Sequence, residues 1–449
     1  MARVQNITDG PILPTVIRLA WPVVASTALE FALQITDYFW VGFLGTPEQD
    51  AITTSMIVTW TLFAVGAVIV IGLTALVSRA IGAGKPDEAS FFARQGVLMA
   101  VGIGAALSIL GLCLTPKILM FMKAGDRVVA LGIPYLRIFF GGMVFLFINE
   151  SLGSIFRASG DTKAPMIALS TGTLLNLVLD PLLIFGWGPF PAMGVAGAAT
   201  ATILSVMVSF SIYVIMIVRG RLEFPLGKWY RTRPVPKAML KIINIGLPIS
   251  TQNIVFVTVY WFIIQIVHHY GTTAGAAMGI GNRMESLSYL TTFAFSIAAS
   301  TMVGQNLGAG KPDRASRAAW TTVGLVVAET FVISICFLTI PHLIARVFSS
   351  DPEAIAIAVD YLKILGLSQI FMGIEIVLEG AFSGAGNTLP PMSVSIPGSI
   401  ARLPLAYFLC FTLDIGVNGV WWTLTITSLF KALILAAWFK KGNWKKKKL

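Results

Sequence analysis

Histidine, cysteine and charge are all scarce in this chain, and each shortage removes a class of function. The three histidines, His268, His269 and His342, give a buried Ser-His couple or a His-metal centre almost no material. Cys113, Cys336 and Cys410 lie inside apolar runs at no metal-ligand spacing, so they read as small buried residues and not as a disulfide framework. Only 12% of residues are charged, too few for a soluble globular chain. Gly82-Ala83-Gly84-Lys85 imitates a phosphate loop, but Pro86 stands where that motif needs Ser or Thr, and its upstream glycine is missing. An enzyme is not expected.

What the chain has instead is apolar length. Hydrophobic residues make up 56% and the mean hydropathy is +0.81, values of an integral membrane protein. A span needs roughly 20 mostly apolar residues, and Gly, Pro and charge punctuate the chain into twelve such stretches. They fall near 15–44, 52–80, 92–114, 130–155, 163–186, 194–218, 240–269, 276–306, 317–340, 355–381, 390–411 and 417–439. Several exceed the minimum, so tilt or bending is expected. The first stretch runs on into a full span without a small-residue cleavage site and reads as a helix, not a removed leader.

The segment Ala83-Gly84-Lys85-Pro86-Asp87 returns as Ala309-Gly310-Lys311-Pro312-Asp313, a shift of 309 − 83 = 226 residues. The same shift aligns Trp21-Pro22 with Leu247-Pro248, Tyr135-Leu136-Arg137 with Tyr361-Leu362-Lys363, and Pro165-Met166 with Pro391-Met392. The halves are copies of one six-span module. Six is even, so the second copy enters the membrane in the same orientation, and the repeat is parallel. The division is a lobe over 1–218, a basic linker over 219–237, a lobe over 238–440 and a basic tail over 441–449.

Charge gives the direction. Loops with Lys85, Arg157, Lys163, Lys311 and Arg314, the linker and the tail carry about twenty Lys and Arg, against about four (Lys117, Lys123, Arg127, Arg346) opposite, so the rich side and both termini are cytoplasmic. The +11 net charge is therefore a topology signal. Nucleic acid is not an expected partner, since the basic residues share no folded face. In the linker, Trp229, Tyr230 and the arginines suit the headgroup layer, as a simple tether would; the Lys445–Lys448 run reads as a flank able to touch anionic lipid.

Ionisable residues inside spans cost about 2.5–3.5 kcal/mol each on insertion scales and are functional candidates by default. Glu30, Gln34 and Asp37 recur at spacings of four and three on the first helix, which places them on one face. Asn176 and Asp180 are four apart on the fifth span, where Pro181 frees a carbonyl. Asp37 and Asp180 with Asn176 can hold a proton, since two carboxylates in a low-dielectric interior favour sharing one, or a sodium ion with help from a hydroxyl such as Thr202 and water. The plainer reading is that each acid pairs with a helix-end donor or an arginine. The second half does not copy this set: Ile263, Arg402 and Ala406 occupy the positions of Asp37, Asn176 and Asp180. Its charges are Arg283 and Glu285 on the eighth span and Glu375 and Glu379 on the tenth. These acids either form a salt bridge, with Arg402 as partner, or attract a cationic substrate beside Phe371 and Met372.

Gln34-Ile35-Thr36-Asp37-Tyr38-Phe39-Trp40-Val41-Gly42, the loop Phe156-Arg157-Ala158-Ser159-Gly160-Asp161-Thr162, Asn176 to Pro181 and the two Gly-Ala-Gly-Lys-Pro-Asp segments resemble the MATE family of multidrug and toxic-compound exporters over almost the whole length. The resemblance is nearest to its prokaryotic DinF-like branch. It implies an all-α membrane fold of twelve helices in two six-helix lobes around a central cleft, and alternating access driven by proton or sodium entry. It further implies that Asp37, Asn176 and Asp180 match the cation-coupling residues. The sixth-helix hydroxyl is matched by Thr202, or by Thr200 close by. NorM-like members carry acids on the seventh and tenth helices; here the seventh begins with Gln252 and Asn253, and the tenth-helix position falls nearer Met372 than Glu375 or Glu379.

The expected function is a secondary antiporter exporting organic, cationic and amphipathic solutes in exchange for H+ or Na+. Glu30, Gln34, Glu285, Met372, Glu375 and Glu379 are its substrate or cavity candidates. No cofactor beyond the coupling ion is expected. The partners are the organic substrate and membrane lipid, the working form is a monomer, and the site is the inner or plasma membrane. A flippase for lipids or lipid-linked glycans is the alternative; it would want a wide basic cavity, whereas the interior acids here outnumber Arg283 and Arg402.

Overall fold

The computed structural model describes residues 7–122, 125–227, 232–447 and 449, with the side chain of Tyr38 left aside. Lys123, Lys228, Trp229, Tyr230, Arg231 and Lys448, which carry part of the charge count and the headgroup reading of the linker, lie outside the described residues. Among the described residues there is helix and no strand.

The first repeat forms α1 (Ile12–Gly42), α2 (Thr46–Gly82), α3 (Pro86–Phe121), α4 (Asp126–Gly141), α5 (Met143–Ala158), α6 (Lys163–Phe185) and α7 (Val195–Val218). The second forms α8 (Pro236–His269), α9 (Thr272–Gly308), α10 (Pro312–Thr339), α11 (Pro341–Phe348), α12 (Pro352–Gly366), α13 (Gln369–Gly384), α14 (Leu389–Ile400), α15 (Arg402–Tyr407) and α16 (Asn418–Lys441). Among the described residues ten spans pass the length and hydropathy of a membrane crossing, and two bent pairs, each taken as one span, raise the number to twelve, as the apolar runs predict.

The runs at 130–155 and 355–381 are not single helices. Each is broken: α4 meets α5 at 50° and α12 meets α13 at 53°. The first break is at Gly142, where any Cβ would collide with the side chain of Ile203 on α7. A neighbouring helix thus fills the notch that a missing side chain leaves. The run at 390–411 is also subdivided, with α14, α15 and a π turn at Phe408–Thr412, in keeping with Pro397 and Pro404, which cannot donate to the helical ladder.

The duplicated Gly-Lys-Pro-Asp segments are helix stops, not phosphate loops. Gly84 and Gly310 take φ of 69° and 71°, a left-handed conformation that costs glycine little. The Lys85 amide donates to Ala80 O at 3.0 Å and the Gly84 amide to Ile81 O at 2.9 Å; Lys311 and Gly310 repeat this on Asn306 O and Leu307 O at 2.8 and 3.1 Å. This is the Schellman closure of a helix end, and the proline that follows opens the next helix, where its lost donor is not missed.

The compact units divide inside helices. One is Trp21–Gly246; the other is Leu247–Leu449 together with residues 7–20. The cuts, Ala20/Trp21 in α1 and Gly246/Leu247 in α8, are related by the 226-residue offset and fall just before Pro22 and Pro248. In the second unit Ile7, Val16, Leu19 and Ala20 are buried with Ala298, Met302 and Ala318, and Lys311 Nζ reaches Asp9 Oδ1 at 2.5 Å. That ammonium contact holds the Asp9 carboxyl below the usual carboxylate range.

In the first unit the start of α8 lies against α2. A Cβ at Gly72 would strike the Ile242 carbonyl, and one at Gly246 the Val68 carbonyl. Close backbone approach through small residues is how helices gain contact area where hydrophobicity alone gives no drive. Gly246→Val should therefore destabilise the folded protein by about 1–3 kcal/mol or more, read as a lower unfolding midpoint in detergent. An unchanged midpoint would mean that the two helices part there freely.

The linker is more than a tether. Leu222, Phe224 and Leu226 are buried, Ser90 Oγ donates to Pro225 O at 2.5 Å, and Gln95 brackets the chain through Arg233 O and the Val235 amide, both at 2.9 Å. Arg221 pairs with Asp161 at 2.8 Å.

Candidate functional site

α6 carries Asn176 and Asp180 one turn apart on its buried face, at 2% and 1% exposure. It is pressed onto α7 because Gly172 and Gly197 leave no Cβ between the backbones, and Ser209 Oγ of α7 donates to Ala168 O at 2.9 Å. Pro181 supplies no amide, so the Leu177 carbonyl lacks its helical donor beside the acid. From α1, Asp37 brings its carboxyl within hydrogen-bonding reach of Asp180. Tyr135 of α4 is close enough to feel both charges. One turn beyond the acids, Val41 and Ile184 are buried with Ile52, Val195 and Ala198, and Trp40, Tyr135 and Phe185 pack on them. The pair therefore sits against an apolar wall.

Asp37 Oδ1, both Asp180 oxygens and both amide atoms of Asn176 are buried and meet no protein hydrogen-bond partner among the described residues. Two ionised carboxylates are acceptors only and cannot bond each other. One shared proton turns the same contact into a charge-assisted hydrogen bond. Asn176 and the freed carbonyl add oxygens that a small cation could also use.

The other candidates divide into separate places. Thr202 and Thr200 each donate to a helical carbonyl, Ala198 O at 3.0 Å and Ala196 O at 2.8 Å, so neither hydroxyl proton is free. Gln34 is exposed, and Glu30 lies with Glu150 and Arg157 of α5. The expected face of Glu30, Gln34 and Asp37 thus serves two distinct environments.

In the second unit one acid, Glu375, has a cationic partner and another, Glu379, has neutral ones. Lys431 of α16 pairs with Glu375 of α13 at 2.6 Å, both nearly buried. The partner expected for these acids, Arg402, instead donates through Nε to Thr427 at 3.0 Å, stacks 5.5 Å over Phe256, and acts on Glu375 and Glu285 through space. The lysine is nearer because its stem occupies the groove left by Gly398. Glu379 accepts from Gln252 of α8 at 2.5 Å and Ser395 of α14 at 2.8 Å. Tyr361, the repeat counterpart of Tyr135, donates to Asn282 at 3.0 Å. Met372 is partly buried on α13. Tyr135, Glu150, Lys431, Gln252 and Ser395 were missing from the sequence-derived site; Glu150 and Lys431, as intramembrane charges, could have been flagged by the rule that singled out Asp37.

A duplicated bundle of membrane-crossing helices, with a carboxyl couple buried in one repeat and a buried Lys431–Glu375 ion pair in the other, is built as an integral membrane transporter and not as an enzyme. The chain belongs to the MatE family: the family model matches residues 22–182 and again 248–408, two blocks separated by the same 226 residues as the internal repeat. It is 31% identical to the probable multidrug resistance protein NorM of Thermotoga maritima, over 96% of this chain and 93% of that protein. It is 26% identical to the FAD transporter of Shewanella oneidensis, over 96% and 94% of the two chains. Among solved structures, a MATE crystallised in complex with MaD3S matches the whole of both chains with a TM-score of 0.92 at 21% identity.

Proposed function

We propose that this protein exports organic, cationic and amphipathic compounds across the plasma membrane in exchange for protons, by alternating access, with Asp37 and Asp180 as the coupling site. It works as a monomer with both termini cytoplasmic. Family membership and the Thermotoga relative support the exporter class. The observation that carries the coupling is the Asp37–Asp180 contact, two carboxyls that one proton joins and that repel without it.

Coupling follows from differential affinity. A ligand moves a conformational equilibrium only by binding one state better than the other. Protonation removes the charge repulsion at the pair, so the loaded and empty forms favour different packings of α1 against α6. A membrane potential contributes about 2.3 kcal/mol per charge per 100 mV. Sodium at the same oxygens is the other coupling ion the donor set accommodates. The acids of the first repeat, with Glu30 and Glu150 against Arg157, leave negative charge in excess, which supports a cationic substrate over the phosphate of a lipid headgroup.

The test is efflux of a fluorescent cationic dye from proteoliposomes under an imposed proton gradient and, separately, a sodium gradient. Movement driven by the proton gradient alone is expected. Movement under sodium alone would replace the ion, and transport of flavin nucleotide or labelled lipid with no dye movement would overturn the cationic exporter.

A further inference from the structure

The two copies of the repeat differ where α3 and α10 begin. In the first copy Ser90 and Gln95 of α3 seat the linker, which fills the place with Pro225, Arg233 and Val235. The 226-residue offset turns this pair into Ser316 and Thr321 of α10. Neither hydroxyl has a hydrogen-bond partner among the described residues, although the neighbouring Thr322 donates to Ala318 O in the ordinary helical manner. The second seat is open: a cavity of about 590 Å³ lies there, with Asp313, Ser316, Arg317, Trp320, Thr321 and Lys445 on its wall.

The open seat is also charged. Phe91 of the first copy is replaced by Arg317 in the second, and Arg94 by Trp320. Arg317 is exposed and makes no ion pair among the described residues. Asp313, on which it acts through space, accepts from Lys445 Nζ at 2.9 Å. The aspartate side chain is 88% exposed, and pairs so open to water are worth little, so the ammonium is available to a better acceptor. Two cations and one carboxylate leave one positive charge, which a phosphodiester cancels. We propose that this seat binds the headgroup of an anionic phospholipid, held as a resident lipid and not as cargo, with Arg317 and Lys445 on the phosphate and Ser316 and Thr321 as hydroxyl donors.

The rest of the helix face favours a lipid over a soluble anion. Trp320 is 36% exposed, its indole N–H has no partner among the described residues, and its ring stands edge-on to Phe439 at 5.9 Å. An apolar body with a free polar tip is the form of an interfacial anchor. Further along the same face, at steps of four, four and three residues, Gly324, Ala328 and Phe331 are exposed. A Cβ at Gly324 would meet open space, so no protein neighbour requires the glycine. The two small residues leave a shallow furrow between the Trp320 and Phe331 rings, where an acyl chain can lie. The basic tail is fixed in place as well. Trp444 is 1% exposed, stacks on Phe439 at 4.4 Å and donates through Nε1 to the Phe439 carbonyl at 2.8 Å, which holds the adjoining Lys445 over the start of α10.

Neither transport nor the Asp37–Asp180 pair enters the test. The full chain is reconstituted in phosphatidylcholine nanodiscs doped, at equal mole fraction, with phosphatidylglycerol or phosphatidylcholine carrying brominated acyl chains, and quenching of tryptophan emission is compared. Brominated phosphatidylglycerol is expected to quench more than brominated phosphatidylcholine, and the excess should vanish in Trp320→Phe. Arg317→Gln should weaken the apparent affinity for phosphatidylglycerol about fivefold, the share of one basic residue beside an anionic headgroup, with an unchanged unfolding midpoint because the side chain is exposed. Arg317→Lys should retain most of the affinity. Lys85→Gln, at the repeat counterpart of Lys311 in the first unit, should leave it unchanged. Equal quenching by the two lipids, or an excess that survives Trp320→Phe or Arg317→Gln, would overturn the proposal. So would an excess that Lys85→Gln lowers as much, which is general surface attraction, or one abolished by glycerol phosphate in the buffer, which marks a site for a soluble anion.

Discussion

Asp37→Asn is expected to reduce gradient-driven efflux to the level of empty liposomes while leaving the protein folded. Asparagine keeps the shape and hydrogen-bonding reach of the side chain but cannot take or release a proton. Since coupling needs a site whose occupancy differs between two conformations, the variant loses the drive and not merely a fraction of the rate. The fold should tolerate the change, because it removes one of two facing acids that only a proton reconciles. Asp180→Asn should behave alike. A variant that pumps dye at the wild-type rate with an intact unfolding midpoint would sink the assignment of Asp37.

The spans and the repeat were legible because each is a local property of sequence. Twenty apolar residues make a span wherever they stand, and Gly84-Lys85-Pro86 closes one helix and opens the next by backbone chemistry alone. Spacing could also place Asn176 under Asp180, one turn away on the same helix. It could not say that Asp37 meets Asp180 while Glu30, seven residues earlier, meets Glu150 and Arg157, because such neighbours depend on how α1 passes α5 and α6. The breaks between α4 and α5 and between α12 and α13 were hidden for a related reason. A glycine in an apolar run reads as continuous helix until a residue such as Ile203 is seen filling its notch. Nothing in the spacing of Lys431 within its span points to Glu375, whereas Arg402 stands out as the repeat counterpart of Asn176; only packing shows that the Lys431 ammonium reaches Glu375.

Lys431→Met is expected to be among the most destabilising single changes in the second repeat. The Lys431–Glu375 pair is 2.6 Å long with side chains 6% and 9% exposed, and removing one partner of such a pair costs about 3–5 kcal/mol because the other is left charged without compensation. The double variant Glu375→Gln/Lys431→Met should recover most of the loss, because neither charge then remains and the methionine stem can still fill the space beside Gly398. Unfolding of the four members of this cycle by denaturing detergent would separate the pair's coupling from the cost of lost packing. If Lys431→Met unfolds like the wild type, the ammonium contributes nothing to holding the acids. If the double variant is as unstable as the single one, the lysine acts through its stem and not through its charge.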